Sequence, residues 1–365
     1  MHQYYVLITV IIIVILLIIV ILLSDEQKED VILESDFSLS IDPNGMKILA
    51  LRHFESIQIK DRLHGSNKLG MYNVSAHKYK DGYQGVIRCS SSNGCELFSP
   101  GPLFSYVYYV KFNNGGNILE AKILDLDYSN MTRCSGKFGY ETNGIEDPKL
   151  FIYKEEQWVI ANIIGSNQQP DVCKNAMCIF KVKCPRETFK ILSVPLNVNP
   201  NQTQKNWSIF EHDGDLLCEY SISPHIILKI DINLGITTEL YRTGKNGLDV
   251  TSYKSLRGGS NSIRTILNGK LYYLNIGHIT SGYPHDYKQF FYIFRPEPPF
   301  EILGVSEPSK LDSKARIQFA AGISEYDDNI YVSYGVSDCY NHISIFSKLK
   351  IMSLFPKVFN SINNI

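Results

Sequence analysis

Beyond residue 65 the chain repeats one pattern: an apolar or aromatic run, a two-residue polar turn, and a second such run ending in small or polar residues. Five copies stand out, KYKDGYQGVIRCS, IYKEEQWVIANII, FEHDGDLLCEYSIS, TILNGKLYYLNIG and SEYDDNIYVSYGVSD. Their turns are read at Asp81–Gly82, Glu155–Glu156, Asp213–Gly214, Asn268–Gly269 and Asp327–Asp328, in steps of 74, 58, 55 and 59 residues. Asp-Gly and Asn-Gly suit tight hairpins, whose central positions need a positive φ. A near-constant step of this size holds one four-stranded sheet per copy. Helical periodicity is almost absent after the first 23 residues. The prediction is an all-β fold, a five-bladed β-propeller over residues 66–355, followed by a tail at 356–365. Its longer first step admits an insertion around Cys134. A pair of β-sandwiches would not require even spacing. Residues 24–65 read as a stem, and MKILALRH within it is a candidate strand for closing the ring.

The amino terminus is different. Residues 6–23, VLITVIIIVILLIIVILL, carry no charge and as a helix would span about 27 Å. Tyr4 and Tyr5 stand at its start, and ILLSDEQ after it offers only Ser24 toward a cleavage site. The expectation is a single retained transmembrane helix. An acidic DEQKED flank favours a short cytoplasmic tail at 1–5 and a body in the Golgi or ER lumen or outside the cell. Eight cysteines, at 89, 95, 134, 173, 178, 184, 218 and 339, suit disulfides in such a body, with Cys89–Cys95 and a pair among Cys173, Cys178 and Cys184 the most local choices. The competing reading is reduced, buried thiols. Sequons at Asn73, Asn130, Asn201 and Asn206 are compatible with a secretory route.

Composition excludes some functions. A net charge of −1 without any basic block leaves no electrostatic footprint for nucleic acid. Scattered histidines and the lack of a second paired-cysteine half give no metal site, and no motif calls for a cofactor. The Asp125-Leu126-Asp127 spacing is one by which metal-dependent, nucleotide-sugar glycosyltransferases hold their ion. Those enzymes alternate strand and helix around the site, whereas here hairpin follows hairpin.

In a propeller, equivalent strand ends from distant repeats converge on one axial pocket. They supply Asn73, Arg88, Glu146, Asp147, Lys205, Asn206, His225, Arg257, His278, Tyr334 and Asp338, groups that suit a polyol better than an apolar ligand. In this order the pieces resemble glycoside hydrolase family 130, five-bladed enzymes acting on β-mannosides, mostly as inverting phosphorylases, and related β-1,2-mannosyl-transferring enzymes. YNVSAHKYKDGYQGVIR is similar to the first-blade pattern, with Asn73 and Arg88 as sugar-binding groups. IEDPKLF resembles the Glu-Asp-Pro-Arg motif, which implies Asp147 as general acid. KNWSIFEHDGDLLCEYSISPH resembles the block bringing a lysine and a basic phosphate-site residue, here Lys205 and His225. RGGSNSI resembles the start of the fourth blade, where Arg257 stands, and SYGVSD the Tyr-Gly-Ala-Ala-Asp motif, placing Asp338 at the sugar with Tyr334 before it. The resemblance covers roughly residues 66–345.

Two departures qualify what it implies. Lys149 replaces the motif's arginine and cannot make the same two-pronged contact. EYSISPH lacks the arginine expected at a phosphate site, so phosphate, a sugar phosphate, water and another sugar all remain acceptors. The expected function is cleavage or construction of a β-mannoside-like linkage by inversion. Asp147 acts as acid, Glu146 stands beside it for base catalysis, and His278 joins His225 on the acceptor side. The alternatives are a non-catalytic glycan-binding propeller, a metal-dependent nucleotide-sugar glycosyltransferase using Asp125 and Asp127, and a pure interaction scaffold. Asn73 and Asn206 are expected to be unmodified, since a glycan there would block the pocket.

Overall fold

Strand formation follows the hairpin chemistry. The computed structural model describes residues 37–41, 47–51, 70–90, 103–127, 142–164, 175–182, 189–198, 204–244, 256–282, 285–338 and 340–359. All lie in the second of the chain's two units, Ser35–Ile365. Each of the five copies folds as a hairpin with a two-residue turn. Three turns fall where the sequence puts them. The first two sit one residue earlier, at Lys80–Asp81 and Lys154–Glu155. Lys154 (φ 50°) and Glu155 (φ 63°) take the left-handed conformation without glycine. Burial of Tyr153 with exposure of Ile152 sets the register there, and a one-residue slip would reverse both.

Two short strands, β1 (Phe37–Ile41) and β2 (Lys47–Leu51), precede the meanders. The first meander is β3 (Gly70–Tyr79), β4 (Gly82–Ser90), β5 (Leu103–Asn113) and β6 (Ile118–Ile123). The second is β7 (Thr142–Tyr153), β8 (Glu156–Ile164), β9 (Asn175–Lys181) and β10 (Lys190–Ile191). The third is β11 (Ser208–His212), β12 (Asp215–Ile222), β13 (His225–Asp231) and β14 (Ile236–Thr243). In the fourth, β15 (Arg257–Gly258) and β16 (Ile263–Leu267) share one edge of β17 (Lys270–Ser281), followed by β18 (Asp286–Phe294) and β19 (Ile302–Val305). The fifth is β20 (Gln318–Tyr326), β21 (Asn329–Val336) and β22 (Tyr340–Ser347), completed by β2, which pairs antiparallel with β22. Two helical turns, α1 (Lys348–Ser353) and α2 (Pro356–Phe359), follow. The described residues are thus nearly all-β, five antiparallel meanders in propeller topology. The N-terminal β2 joins the C-terminal sheet and closes the ring without a covalent link.

The core is divided among the faces between neighbouring sheets. Val107, Leu150 and Phe180 fill the first gap, and Ile160, Trp207 and Leu228 the second. Tyr273, Phe294 and Phe300 fill the third; Leu274, Val332 and Phe346 fill the fourth, where Phe355 and Phe359 also pack. β7 pairs in parallel with β5 over Thr142–Gly144, which joins the first two meanders; beyond that pairing the axial edges of the first strands need other hydrogen bonds. Short polar side chains supply them. The Leu150 N–H donates to Ser75 Oγ (2.9 Å) and the Ala76 N–H to Ser333 Oγ (2.9 Å). Asn261 accepts from the Ile209 N–H (2.9 Å) and donates to the Leu150 carbonyl (3.0 Å), tying three blades at one amide.

One expectation is corrected here. Cys89, Cys178 and Cys218 are free thiols, each buried. As free thiols, Cys89 on β4 and Cys178 on β9 make neither the Cys89–Cys95 pairing nor one using Cys178, and burial pushes both up in pKa. The other five cysteines, Asn130, Asn201 and the apolar run at 6–23 lie outside the described residues. Among the described residues no helix is long and apolar enough to cross a membrane.

Candidate active site

Three inner strands use one local device. Tyr72-Asn73-Val74-Ser75, Glu146-Asp147-Pro148-Lys149 and Lys205-Asn206-Trp207-Ser208 occupy equivalent places in the first three blades. Their second residues, Asn73, Asp147 and Asn206, have φ of 58°, 50° and 63°. Asn and Asp enter this left-handed region more readily than other side-chain-bearing residues. In β3 and β7 the pairing register shifts across that residue, between Tyr72 and Ser75 and between Glu146 and Lys149. A bulge of this kind re-aims side chains. Here it turns Asn73 and Asp147 toward one cavity, which Asn206 also lines.

Two of the three carriers meet directly. Asn73 Nδ2 donates to Asp147 Oδ1 at 2.8 Å. Arg88, from β4, donates through Nη1 to the same oxygen at 3.4 Å and through Nη2 to Glu146 Oε1. Its Nε donates to Ser105 Oγ (3.2 Å), and its guanidinium lies over the Tyr72 ring (4.9 Å). The Arg88, Glu146 and Asp147 side chains are only 12%, 15% and 21% exposed, so this is a partly desolvated ion cluster. Lys205 approaches Glu146 Oε2 at 3.7 Å. Among the described residues, only Oδ1 of Asp147 is engaged.

These groups border a cavity of about 370 Å³, with Asn206, Arg257, His278 and Asp338 on its other sides. Asp338 sits in the turn after β21, with Ser337 and Asp338 at φ 54° and 49°. It is open to the cavity yet flanked by protein. Desolvation raises its pKa, Arg88 opposes the shift, and Asp147 and Glu146 add to it. His278 pairs with Arg257 across β15 and β17 and is 2% exposed. Burial, then Arg257 and Lys149, push it down to about 3, so it is neutral. Its ring stacks on Tyr287 (5.4 Å) and meets Phe319 edge-on (5.5 Å). Gly258 permits the fourth blade to close in: a Cβ there would lie 2.2 Å from the Asn206 carbonyl oxygen. The glycines of RGGSNSI serve close packing.

The structure therefore brings together Asn73, Arg88, Glu146, Asp147, Lys205, Asn206, Arg257, His278 and Asp338. Asn73, 4% exposed with its amide engaged, offers no room for a glycan. Two expected members are elsewhere. His225 is enclosed at the start of β13, between Glu219 Oε2 (3.0 Å) and the Phe300 carbonyl (2.9 Å), within the packing of the third and fourth sheets. Tyr334, four residues before Asp338 on β21, is fully buried between sheets, its ring 5.4 Å from His342. Asp125 and Asp127 flank the buried Leu126 beyond the outer strand β6 and do not line the cavity. Lys149 is 1% exposed and donates to the Trp207 carbonyl of the next blade (2.8 Å); burial pushes its amine down to about 8. It holds two blades together where an arginine fork was expected.

His285, Tyr287, Ile317 and Phe319 also line the cavity and were missed. The one signal was HDYKQF, a histidine and tyrosine at the mouth of a strand; Ile317 and Phe319 read as ordinary strand residues.

No family model and no curated protein matches the chain. Solved structures do match. A glycosyl hydrolase from Bacteroides ovatus superposes with a TM-score of 0.55 at 11% identity, covering 86% of this chain and 94% of its own. The β-1,2-mannobiose phosphorylase of Listeria innocua, solved with β-1,2-mannobiose, gives 0.56 at 12% identity, covering 84% and 99%. At such identity the likeness is one of fold, and it spans nearly the whole of those proteins. The fold implied by the sequence resemblance is the fold present.

Proposed function

We propose that this chain is a carbohydrate-active enzyme that acts on β-mannoside-like linkages with inversion, Asp147 serving as general acid. The observation that carries the reading is Asp147 itself. Its carboxylate stands in a left-handed bulge, held at Oδ1 by Asn73 and Arg88, at the edge of a polar cavity. As the bond from the anomeric carbon to the leaving oxygen breaks, the acid gives that oxygen a proton while oxocarbenium character develops. Asn73 and Arg88 hold the carboxylate in place. Asp338 and Asn206 are placed to accept and donate hydrogen bonds to sugar hydroxyls, and the His278–Tyr287–Phe319 wall offers ring surface to its carbon face. Lys205 and Arg257 are the cations available to an anionic acceptor, the role first assigned to His225. Where the acceptor is water, Glu146 is the available base, though its engagement by Arg88 favours an acceptor that arrives anionic.

Membrane attachment through residues 6–23, with the body lumenal or extracellular, belongs to the same proposal. It rests on the uncharged apolar run and its acidic flank. The test is turnover of β-mannobiose, mannose 1-phosphate and GDP-mannose by the full chain, with and without phosphate, following the product anomer by NMR. An α-configured first product from a β-mannoside supports inversion. A β-configured one contradicts it, and binding without turnover of any of the three indicates a glycan-binding propeller.

A further inference from the structure

A second chamber of about 540 Å³ adjoins the axial cavity and shares Lys205, Asn206 and Arg257 with it as a common wall. Both volumes fall within the ~300–1,000 Å³ usual for small-molecule sites. The added lining comes from the second, third and fourth blades and includes Asn175, Tyr220 and Ser221. Among the described residues no carboxylate lines it. Tyr220 is half-buried, and its ring is fixed edge-on against the enclosed Trp207 at 5.4 Å. An aromatic ring held by its neighbour, next to an amide and a hydroxyl, is a surface for the carbon face and hydroxyls of a pyranose.

We infer that this chamber binds the further sugars of a saccharide chain whose reacting residue lies in the axial cavity, so that oligosaccharides longer than a disaccharide are the preferred substrates. The inference rests on the function proposed above and names its substrate class. Shared walls carry it: Lys205, Asn206 and Arg257 line both spaces, so the second chamber lies immediately beside the axial cavity, within reach of a longer ligand bound there. Tyr220 is then a chain-length residue that does not touch the reacting atoms.

Calorimetric titration of the full-length chain in detergent, in the Asp147→Asn background, decides it. The probes are β-mannobiose and β-mannotetraose, each added with Tyr220 intact, with Tyr220→Ala and with Tyr220→Phe. The expectation is tighter binding of the tetrasaccharide, an advantage that Tyr220→Ala reduces by about 2- to 12-fold while Tyr220→Phe keeps it. Disaccharide affinity should stay within about twofold throughout, which also shows the fold intact. Equal affinity for both saccharides, or equal weakening of both by Tyr220→Ala, overturns the chamber and leaves the axial site standing. Failure of both saccharides to bind with Tyr220 intact overturns the chamber and the axial site together.

Discussion

Replacing Arg88 with methionine tests the ion cluster on which the site depends. The guanidinium pairs with both Glu146 and Asp147 and faces Asp338, in a place where its side chain is 12% exposed. Methionine keeps much of the stem's volume and removes the charge. Deleting one partner of a buried pair typically costs about 3–5 kcal/mol, because the remaining charge stays desolvated. The cavity admits solvent, so the expected loss is toward the lower end, about 3 kcal/mol. Its pH dependence has a definite sign. The folded-state pKa of Asp338 is raised above its ordinary value, so its unfavourable contribution grows as pH rises from that value through the raised one. Arg88 restrains that rise, and without it Asp338 shifts further up. Urea unfolding of Arg88→Met should show a deficit that is larger at pH 7 than at pH 4. A double-mutant cycle with Glu146→Gln should show coupling of about 1–3 kcal/mol. A deficit independent of pH, together with additive effects, would refute the reasoning.

Other consequences follow from single contacts. Lys149, pushed down to about 8 from 10.5, is penalised while charged, so native stability gains as pH rises between those values; Lys149→Met should remove that gain in thermal unfolding followed from pH 7 to 10.5, and identical slopes would contradict it. A Cβ on Gly335 would lie 1.9 Å from Asn73 Oδ1 and 2.8 Å from its backbone nitrogen. Gly335→Ala should therefore displace the residue that holds Asp147, lowering both melting temperature and turnover, at a stability cost of about 1–3 kcal/mol; unchanged values would show that the contact relaxes freely. Cys89, Cys178 and Cys218 should resist alkylation in the native chain and label fully in denaturant without reductant, as mass mapping would reveal; labelling that needs reductant would show them bridged.

Much of the fold was written in the turns. Asp-Gly and Asn-Gly at even steps mark hairpins because positive φ is demanded there, and the spacing of those hairpins counts the sheets. The two turns read one residue late lie where burial of the flanking strand decides the register, a tertiary effect that turn residues do not report. At the site, Asn73, Asp147 and Asn206 were legible as polar residues just ahead of strands. Their left-handed backbone is the physical reason for Asx at all three. His225 and Tyr334 were misplaced for a common reason. Each stands near the expected motif in sequence, but side chains along a strand alternate between faces, and both turn into the packing between sheets. Tyr287 was missed because its ring meets His278 diagonally across two paired strands of the fourth sheet, and Phe319 because its contact depends on the approach of the fifth blade. The cysteine count, read as disulfides, failed for Cys89, Cys178 and Cys218 because thiols also serve as small apolar groups in tight interfaces.

The most direct measurement is turnover of β-mannobiose by Asp147→Asn beside the native chain, with binding measured in parallel. Asparagine tolerates the left-handed conformation that Asp147 occupies, and its carbonyl oxygen can still accept from Asn73, so the substitution removes the proton donor and spares the scaffold. The account predicts that the native chain turns over this disaccharide, while the variant binds it with turnover reduced about 100-fold or more. Native-like turnover by the variant would contradict it.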